Sequence, residues 1–183
     1  MKLKTCKICK IKFEPYNSLQ NVCSPKCAIE LTNRLNDKKK LKQKQEWNKE
    51  KAERKEALKT RSDYLRELQT LVNKFVRLRD INEPCISCGT TKQDIVYHAG
   101  HFHSIKAYPS IRFDLDNIWK QCGNNCNVHL SGNLLNYREG LIKRIGMKRF
   151  NALEERKNVP LKLTIEEIKQ QKSFFRAKIK DME

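Results

Sequence analysis

Apolar residues recur at regular spacing in only a few stretches of the chain, and those stretches predict its elements. Tyr64, Leu65, Leu68, Leu71, Val72, Phe75, Val76 and Leu78 fall three and four residues apart, which predicts an amphipathic helix over 63–81 with Ser62 as its N-cap. Such a stripe is core, so Tyr64 and Phe75 are read as packing residues rather than platforms for stacked bases. The helix stops before Pro84, whose ring biases Glu83 away from helical angles. Ile95 to His103 and Ile111 to Trp119 predict two short strands or extended segments, joined by a loop that holds Pro109. A helix then begins near Cys126, pauses at Ser131 and Gly132, and resumes through Leu134, Tyr137, Leu141, Ile142 and Ile145. Thr164 and Glu167 form a capping box ahead of a last amphipathic helix with Ile165, Ile168, Phe174, Phe175 and Ile179, which is expected to pack onto the preceding unit.

Between Ala28 and Thr60 the apolar pattern fades and Lys, Glu, Gln and Ala take over, without Gly or Pro. These are good helix formers, and Glu50 with Arg54 is one of several opposite charges spaced to pair on a helix face. Leu31, Leu35, Leu41 and Trp47 do not sustain a heptad seam, so a long solvated helix is expected here and not a coiled coil. Two roles stay open for it: a charged spacer, or an arm that tracks DNA by neutralising phosphates.

Composition narrows the class. With 183 residues, 38% hydrophobic and 33% charged, the chain has material for a modest core only, and small cores need a staple. The eight cysteines fall in pairs: Cys6 with Cys9, Cys23 with Cys27, Cys85 with Cys88, and Cys122 with Cys126. Such spacing suits metal chelation better than disulfides, because a short knuckle aims two thiolates at one tetrahedral ion. The start of the chain lacks the apolar run of a signal peptide and no stretch is long enough to cross a bilayer, so a reducing cytoplasm, where thiols bind zinc, is expected. An excess of 39 Lys and Arg over 21 Asp and Glu gives a net charge of +18, a field that attracts polyanions. Nucleic acid is the leading partner; an anionic membrane is the weaker one, since the basic stretch has no broad apolar face to insert.

Residues 1–27 read as a four-cysteine zinc ribbon of Cys6, Cys9, Cys23 and Cys27, which could contact DNA or serve as a protein-docking knob. Cys85 and Cys88, followed by Gly89 with its tolerance of positive backbone angles, make a second knuckle; with Cys122 and Cys126 they form a second zinc site that staples the intervening hairpin. His98, His101 and His103 lie inside that staple, followed by Asn117, with His129 just beyond it. The spacing resembles the HNH nuclease pattern of a His ending one strand, an Asn on the second and a His on the following helix. Cutting a phosphodiester needs a base for water and a divalent metal at the leaving oxyanion, and an imidazole titrates near working pH. The alternative, that these histidines serve the structural zinc, is weakened because four thiolates already saturate that ion. Asn117 could be a simple turn residue, and His103 a surface or phosphate-contacting one.

The resemblance sharpens over Pro84 to Thr90, Ala99 to His101, Arg112 and Phe113, Asn117 and Ile118, Lys120 to Cys122, Cys126 and Asn127, His129, Ser131 to Leu134, and Tyr137 and Arg138. Together with the N-terminal ribbon and basic segment, these residues are similar to the phage NinG (Rap) recombination protein family over nearly the whole chain. The resemblance implies an α+β protein: a ribbon over 1–27, a basic helical arm over 28–61, an HNH-like ββα-metal nuclease unit over 62–150 and a helical segment over 151–183. It implies an endonuclease that cuts Holliday junctions and D-loops in the cytoplasm of the host bacterium, with two structural Zn²⁺ ions and a catalytic divalent ion such as Mg²⁺ or Mn²⁺. His101 would be the general base, Asn117 would position its strand, and His129 and His98 would bind the catalytic metal. Lys38, Lys39, Lys40, Arg112, Lys120 and Arg138 would hold the DNA. The chain departs from the family pattern at His98, where Asp is common, a change that favours Mn²⁺, Ni²⁺ or Zn²⁺ over Mg²⁺. It also carries one extra residue between Cys122 and Cys126. Symmetric cutting of a four-way junction would need two active sites and so favours a dimer. The rivals are a non-catalytic zinc protein that binds DNA or scaffolds recombination, and an RNA- or ribosome-associated zinc protein.

Overall fold

The computed structural model describes residues 2–183, which divide into two compact units, 2–58 and 59–183. In the first unit, strands β1 (Lys4–Thr5) and β2 (Lys12–Phe13) pair antiparallel, with Lys4 opposite Phe13. The turn between them closes on Cys6, whose amide donates to Ile11 O at 2.9 Å and whose carbonyl accepts from Lys10 N at 3.1 Å. Helix α1 (Pro25–Ala57) starts inside the second knuckle: Ser24 caps it by accepting from Cys27 N, and Pro25 takes the first turn, where no N–H is needed. None of its residues is buried, and Leu35, Leu41 and Trp47 are all exposed. Glu50 does pair with Arg54, at 2.7 Å, and Glu30 with Arg34, at 2.6 Å. This is the solvated helix that the charge pattern predicts.

In the second unit a two-stranded hairpin lies between helical layers. Strand β3 (Tyr97–His101) pairs antiparallel with β4 (Ile118–Cys122), from Tyr97 opposite Cys122 to His101 opposite Ile118. Alternation along a strand sends neighbours to opposite faces. Ile118 and Ala99 join a core made by α2 (Arg61–Arg79) and α4 (Ile165–Lys180), through Leu65, Leu68, Val72, Ile168 and Phe175. Trp119 and Phe102 pack instead against Ile86, Ile111 and the Tyr137, Leu141 and Phe150 side chains of α3 (Leu134–Arg156). Helix α3 is broken at Gly146, whose φ is 77°. Upstream on the same helix, Gly140 lies so close to Ile86 O that an added Cβ would collide with that backbone oxygen. No helix among the described residues is long and apolar enough to cross a membrane.

Three expected boundaries move. Helix α2 is capped by Thr60 and not Ser62: Thr60 accepts from Asp63 N at 3.3 Å while Asp63 accepts from Thr60 N at 2.9 Å, a closed capping box. The segment Ile111 to Asn117 is not strand. Pro109–Ile111 forms a short 3-10 turn, and Asp114 then folds the chain by accepting from Asp116 N and Asn117 N, so the strand begins only at Ile118. Gly123–His129 coils as a wide π-type turn in place of an α-helix, and regular α-helix starts at Leu134, after Ser131, Gly132 and Asn133 with positive φ.

Candidate functional site

The eight cysteines are free thiols gathered into two groups, Cys6, Cys9, Cys23 and Cys27, and Cys85, Cys88, Cys122 and Cys126; within each group all Sγ atoms lie within 4.8 Å of one another. Cys9 and Cys23 are 3.4 Å apart, Cys23 and Cys27 3.8 Å, and Cys88 and Cys122 3.7 Å. A tetrahedral ion with Zn–S bonds of about 2.3 Å sets its sulfurs roughly 3.8 Å apart, so both groups fit zinc. In each, the thiols are pushed in opposite directions. Burial resists ionisation of Cys6, but backbone N–H groups of Cys23, Cys9 and Ile8 outweigh it and bring Cys6 down to about 6. Hydrogen bonding to Cys9, with burial, drives Cys23 up to about 12. In the second group Cys85 is lowered, against burial, by the backbone N–H groups of Cys122, Cys88 and Ser87, while burial raises Cys122 and Cys126. Crowded thiols cannot all ionise alone, and a bound dication removes that conflict. Gly89, with φ 71°, supplies the positive angle expected of the knuckle.

At the other end of the hairpin, Asn117 is fully buried and clamps the chain after β3. Its Oδ1 accepts from His103 N at 2.7 Å, and its Nδ2 donates to His103 O and Ile111 O, both at 3.1 Å. So placed it touches backbone only, and it acts through the strand that it holds. His101 ends β3 with its ring largely enclosed; Nε2 lies 3.2 Å from Arg112 O and 3.3 Å from Gln69 Nε2 of α2. Burial lowers its pKa from the usual 6.5, the Arg112 charge adds to that, and the carbonyls of Arg112 and Ala99 oppose it.

His101 lines an open cleft of about 510 Å³ together with His103, Tyr108, Asn127, Ser131 and Leu134. His103 holds Glu154 Oε1 at 2.5 Å and packs edge-on against Tyr108, so it is a paired cleft residue and not a bare surface one. Burial works against ionisation of Glu154, but Lys157 and His103 keep its carboxyl below the ordinary range. His98, half-buried, accepts at Nδ1 from Asn127 Nδ2 at 2.8 Å, which leaves the proton of its neutral ring on Nε2. From the turn after β4 it is Asn127 that meets His98; His129 ends that turn exposed, and no hydrogen bond joins it to His98. In the sequence Asn127 carries no signal of its own beyond its place directly after Cys126, which fixes it near the hairpin. Among the described residues, only the two cysteine groups bring three or more His, Cys, Asp or Glu ligand atoms together.

The cations expected to hold DNA separate. Lys38, Lys39 and Lys40 are exposed on α1, and Arg138 is exposed on α3. Arg112 is half-buried over Phe113 and beside His101. Lys120 does not join them: it is 8% exposed, its Nζ donates to Ile81 O at 2.8 Å, and it lies over the Tyr97 ring, so it is not placed to hold DNA.

The family model described as "NinG: Bacteriophage Lambda NinG protein" matches residues 1–183. Three proteins named "Protein ninG" are similar over nearly their whole length. That of Escherichia phage 933W is 40% identical over 192 residues, covering 98% of this chain and 93% of the relative. That of Escherichia phage lambda is 38% identical over 188 residues, covering 95% and 89%. That of Salmonella phage P22 is also 38% identical over 188 residues, covering 95% and 90%. No solved structure matches.

Proposed function

The chain belongs to the phage NinG family, and from that premise we propose that it is a metal-dependent HNH-type endonuclease that cuts branched DNA. The observation that carries the reading is His101: an enclosed imidazole at the end of β3, in the wall of a cleft, with Nε2 against the Arg112 carbonyl. Strands β3 and β4, the turn after them and α3 supply the chain order of a ββα unit, stapled by the second cysteine group. Asn117 fixes the backbone beyond His101.

The chemistry follows from those placements. When Nε2–H donates to Arg112 O, the lone pair of the neutral ring lies on Nδ1 and can take a proton from water, and the Ala99 carbonyl favours the proton so gained. The oxygen so activated forms a bond to phosphorus, the bond from phosphorus to the leaving sugar oxygen breaks, and that oxygen ends protonated. Arg112 beside the ring neutralises a phosphate, and the exposed lysines of α1 and Arg138 attract the backbone. His98 would offer a nitrogen to an ion once the Asn127 amide turns so that its Oδ1 accepts from Nδ1–H and Nε2 is bared; a nitrogen donor fits Mn²⁺ or a later transition ion better than Mg²⁺, which prefers oxygen alone. Such an ion would stabilise negative charge on the leaving oxygen.

One observation favours a second reading, a zinc protein that binds DNA without cutting it: no Asp or Glu completes a three-ligand group around His98 among the described residues. Linear, forked, D-loop and four-way junction DNA, each incubated with Mg²⁺, Mn²⁺, Co²⁺ and Ni²⁺, separates the two. The nuclease reading expects cleavage of branched forms, strongest in Mn²⁺ or a later ion. Binding to all of them with cleavage of none supports the second reading, and preference for folded RNA defeats both.

A further inference from the structure

Two groups with opposite demands meet at His101 Nε2. The Arg112 carbonyl, 3.2 Å away, can only accept, so it calls for a proton on Nε2. The Gln69 amide nitrogen, 3.3 Å away, can only donate, so it calls for a lone pair there. The direction of that amide is set by its other contacts. Gln69 is 8% exposed; its Oε1 accepts from Arg112 Nε at 3.4 Å and its Nε2 donates to Asn73 Oδ1 at 2.9 Å. Turning the amide over would set Gln69 N–H against Arg112 N–H. While Arg112 is seated on it, Gln69 therefore presents a donor to His101, and the ring keeps its proton on Nδ1, which the Ala99 carbonyl beside the ring also favours and which the cutting reaction needs bare.

Arg112 is poorly satisfied in that seat. Its contact with Gln69 is long, it makes no ion pair among the described residues, and burial, with the Arg61 charge, lowers its pKa from the ordinary guanidinium range. A phosphate offers a guanidinium shorter, charge-assisted and often bidentate bonds, so it would draw Arg112 away from the amide.

We propose that Gln69 is a positioning residue that couples phosphate capture by Arg112 to the tautomer of His101. With Arg112 on Gln69, Nε2 accepts and the base is held idle. With Arg112 on a DNA phosphate, Gln69 is released, Nε2–H turns to the Arg112 carbonyl, and Nδ1 is bared for water. The inference rests on the nuclease reading and names how its base is controlled. Arg112 is the charged group acting on the ring; α2 faces it with Gln69, which does not titrate.

The test reads the ring directly, by ¹⁵N imidazole spectra of the full, zinc-loaded chain, wild type and Q69A, at pH 7.5, before and after adding a four-way junction without a cleavage-supporting cation. Wild type is expected to carry its proton on Nδ1 when free and on Nε2 with DNA, whereas Q69A shifts toward Nε2 when free and changes no further with DNA. Q69E, which keeps the size and supplies only acceptors, should also favour Nε2–H and covers the case in which Q69A fails to fold. On a cleavable junction, the acid limb of the Q69A kcat/KM profile, which reports the free protein, should move up by about half a pH unit, because a hydrogen bond to the neutral ring has been lost, while that of kcat stays in place. One tautomer shared by wild type and both variants, with and without DNA, overturns the coupling even if the protein cuts. A wild type that cuts nothing in any cation overturns the nuclease reading, and the spectra still decide the coupling.

Discussion

Asn117 and His101 are separable by what their loss should damage. Asn117→Ala removes three buried hydrogen bonds to the backbone of His103 and Ile111, and leaves those groups unpaired. About 3 kcal/mol of stability should be lost, read from urea unfolding, together with cutting. The His101 ring meets a different demand under the proposed function, where a base would have to be neutral. Burial keeps it so below the usual 6.5, and the acid limb of cutting should therefore fall below pH 6.5. The same shift acts on stability. The folded state binds fewer protons than the unfolded one between its lowered pKa and 6.5, so stability is full above 6.5 and declines as pH falls through that window. Thermal unfolding from pH 8 to 5 checks the sign. The sequence points to His101 and Asn117 through a spacing that resembles the HNH pattern, and the structure puts His101 at the end of β3 and Asn117 just before β4. Gln69 was not legible there: on α2 it counts as one polar position among many, and only folding brings it to His101.

The caps and apolar stripes of the long helices made those elements readable. Thr164 and Glu167 cap α4 as the sequence predicts. At α2 the same chemistry sits two residues upstream of the predicted cap, because Asp63 serves as the partner in place of Glu or Gln. Hydrogen bonds from the Thr60 side chain and backbone hold Asp63 down to about 2, so the box persists until pH falls toward that value. Thr60→Ala should cost about 1 kcal/mol. Periodicity at Ile111, Phe113 and Leu115 predicts extended chain, while Asp114 decides locally for a turn. Gly140 on α3 shows contact that no pattern records: Gly140→Ala drives a methyl into the Ile86 carbonyl and should unfold the knuckle end of the hairpin, seen as lost near-UV signal.

Taken whole, the chain should bind two zinc ions, one for each cysteine group, by elemental analysis. Cys88→Ser should lower the second site's affinity and destabilise the core that Cys85, Cys122 and Cys126 share with Ile95 and Tyr97. The net charge of +18 predicts DNA affinity that falls with salt, by about 0.9 in log–log slope for each phosphate neutralised. Replacing Lys38, Lys39 and Lys40 together with Ala should flatten that slope by about one to three, whereas Lys120→Ala should leave it unchanged, since its ammonium is turned inward. Binding alone does not establish catalysis. The most direct measurement is single-turnover cutting of a four-way junction in Mn²⁺ by wild type and His101→Ala, with junction affinity measured on both. The nuclease account predicts a loss of at least about a hundredfold in rate with affinity held within about twofold. Equal cutting by both proteins, or none by the wild type, would contradict it.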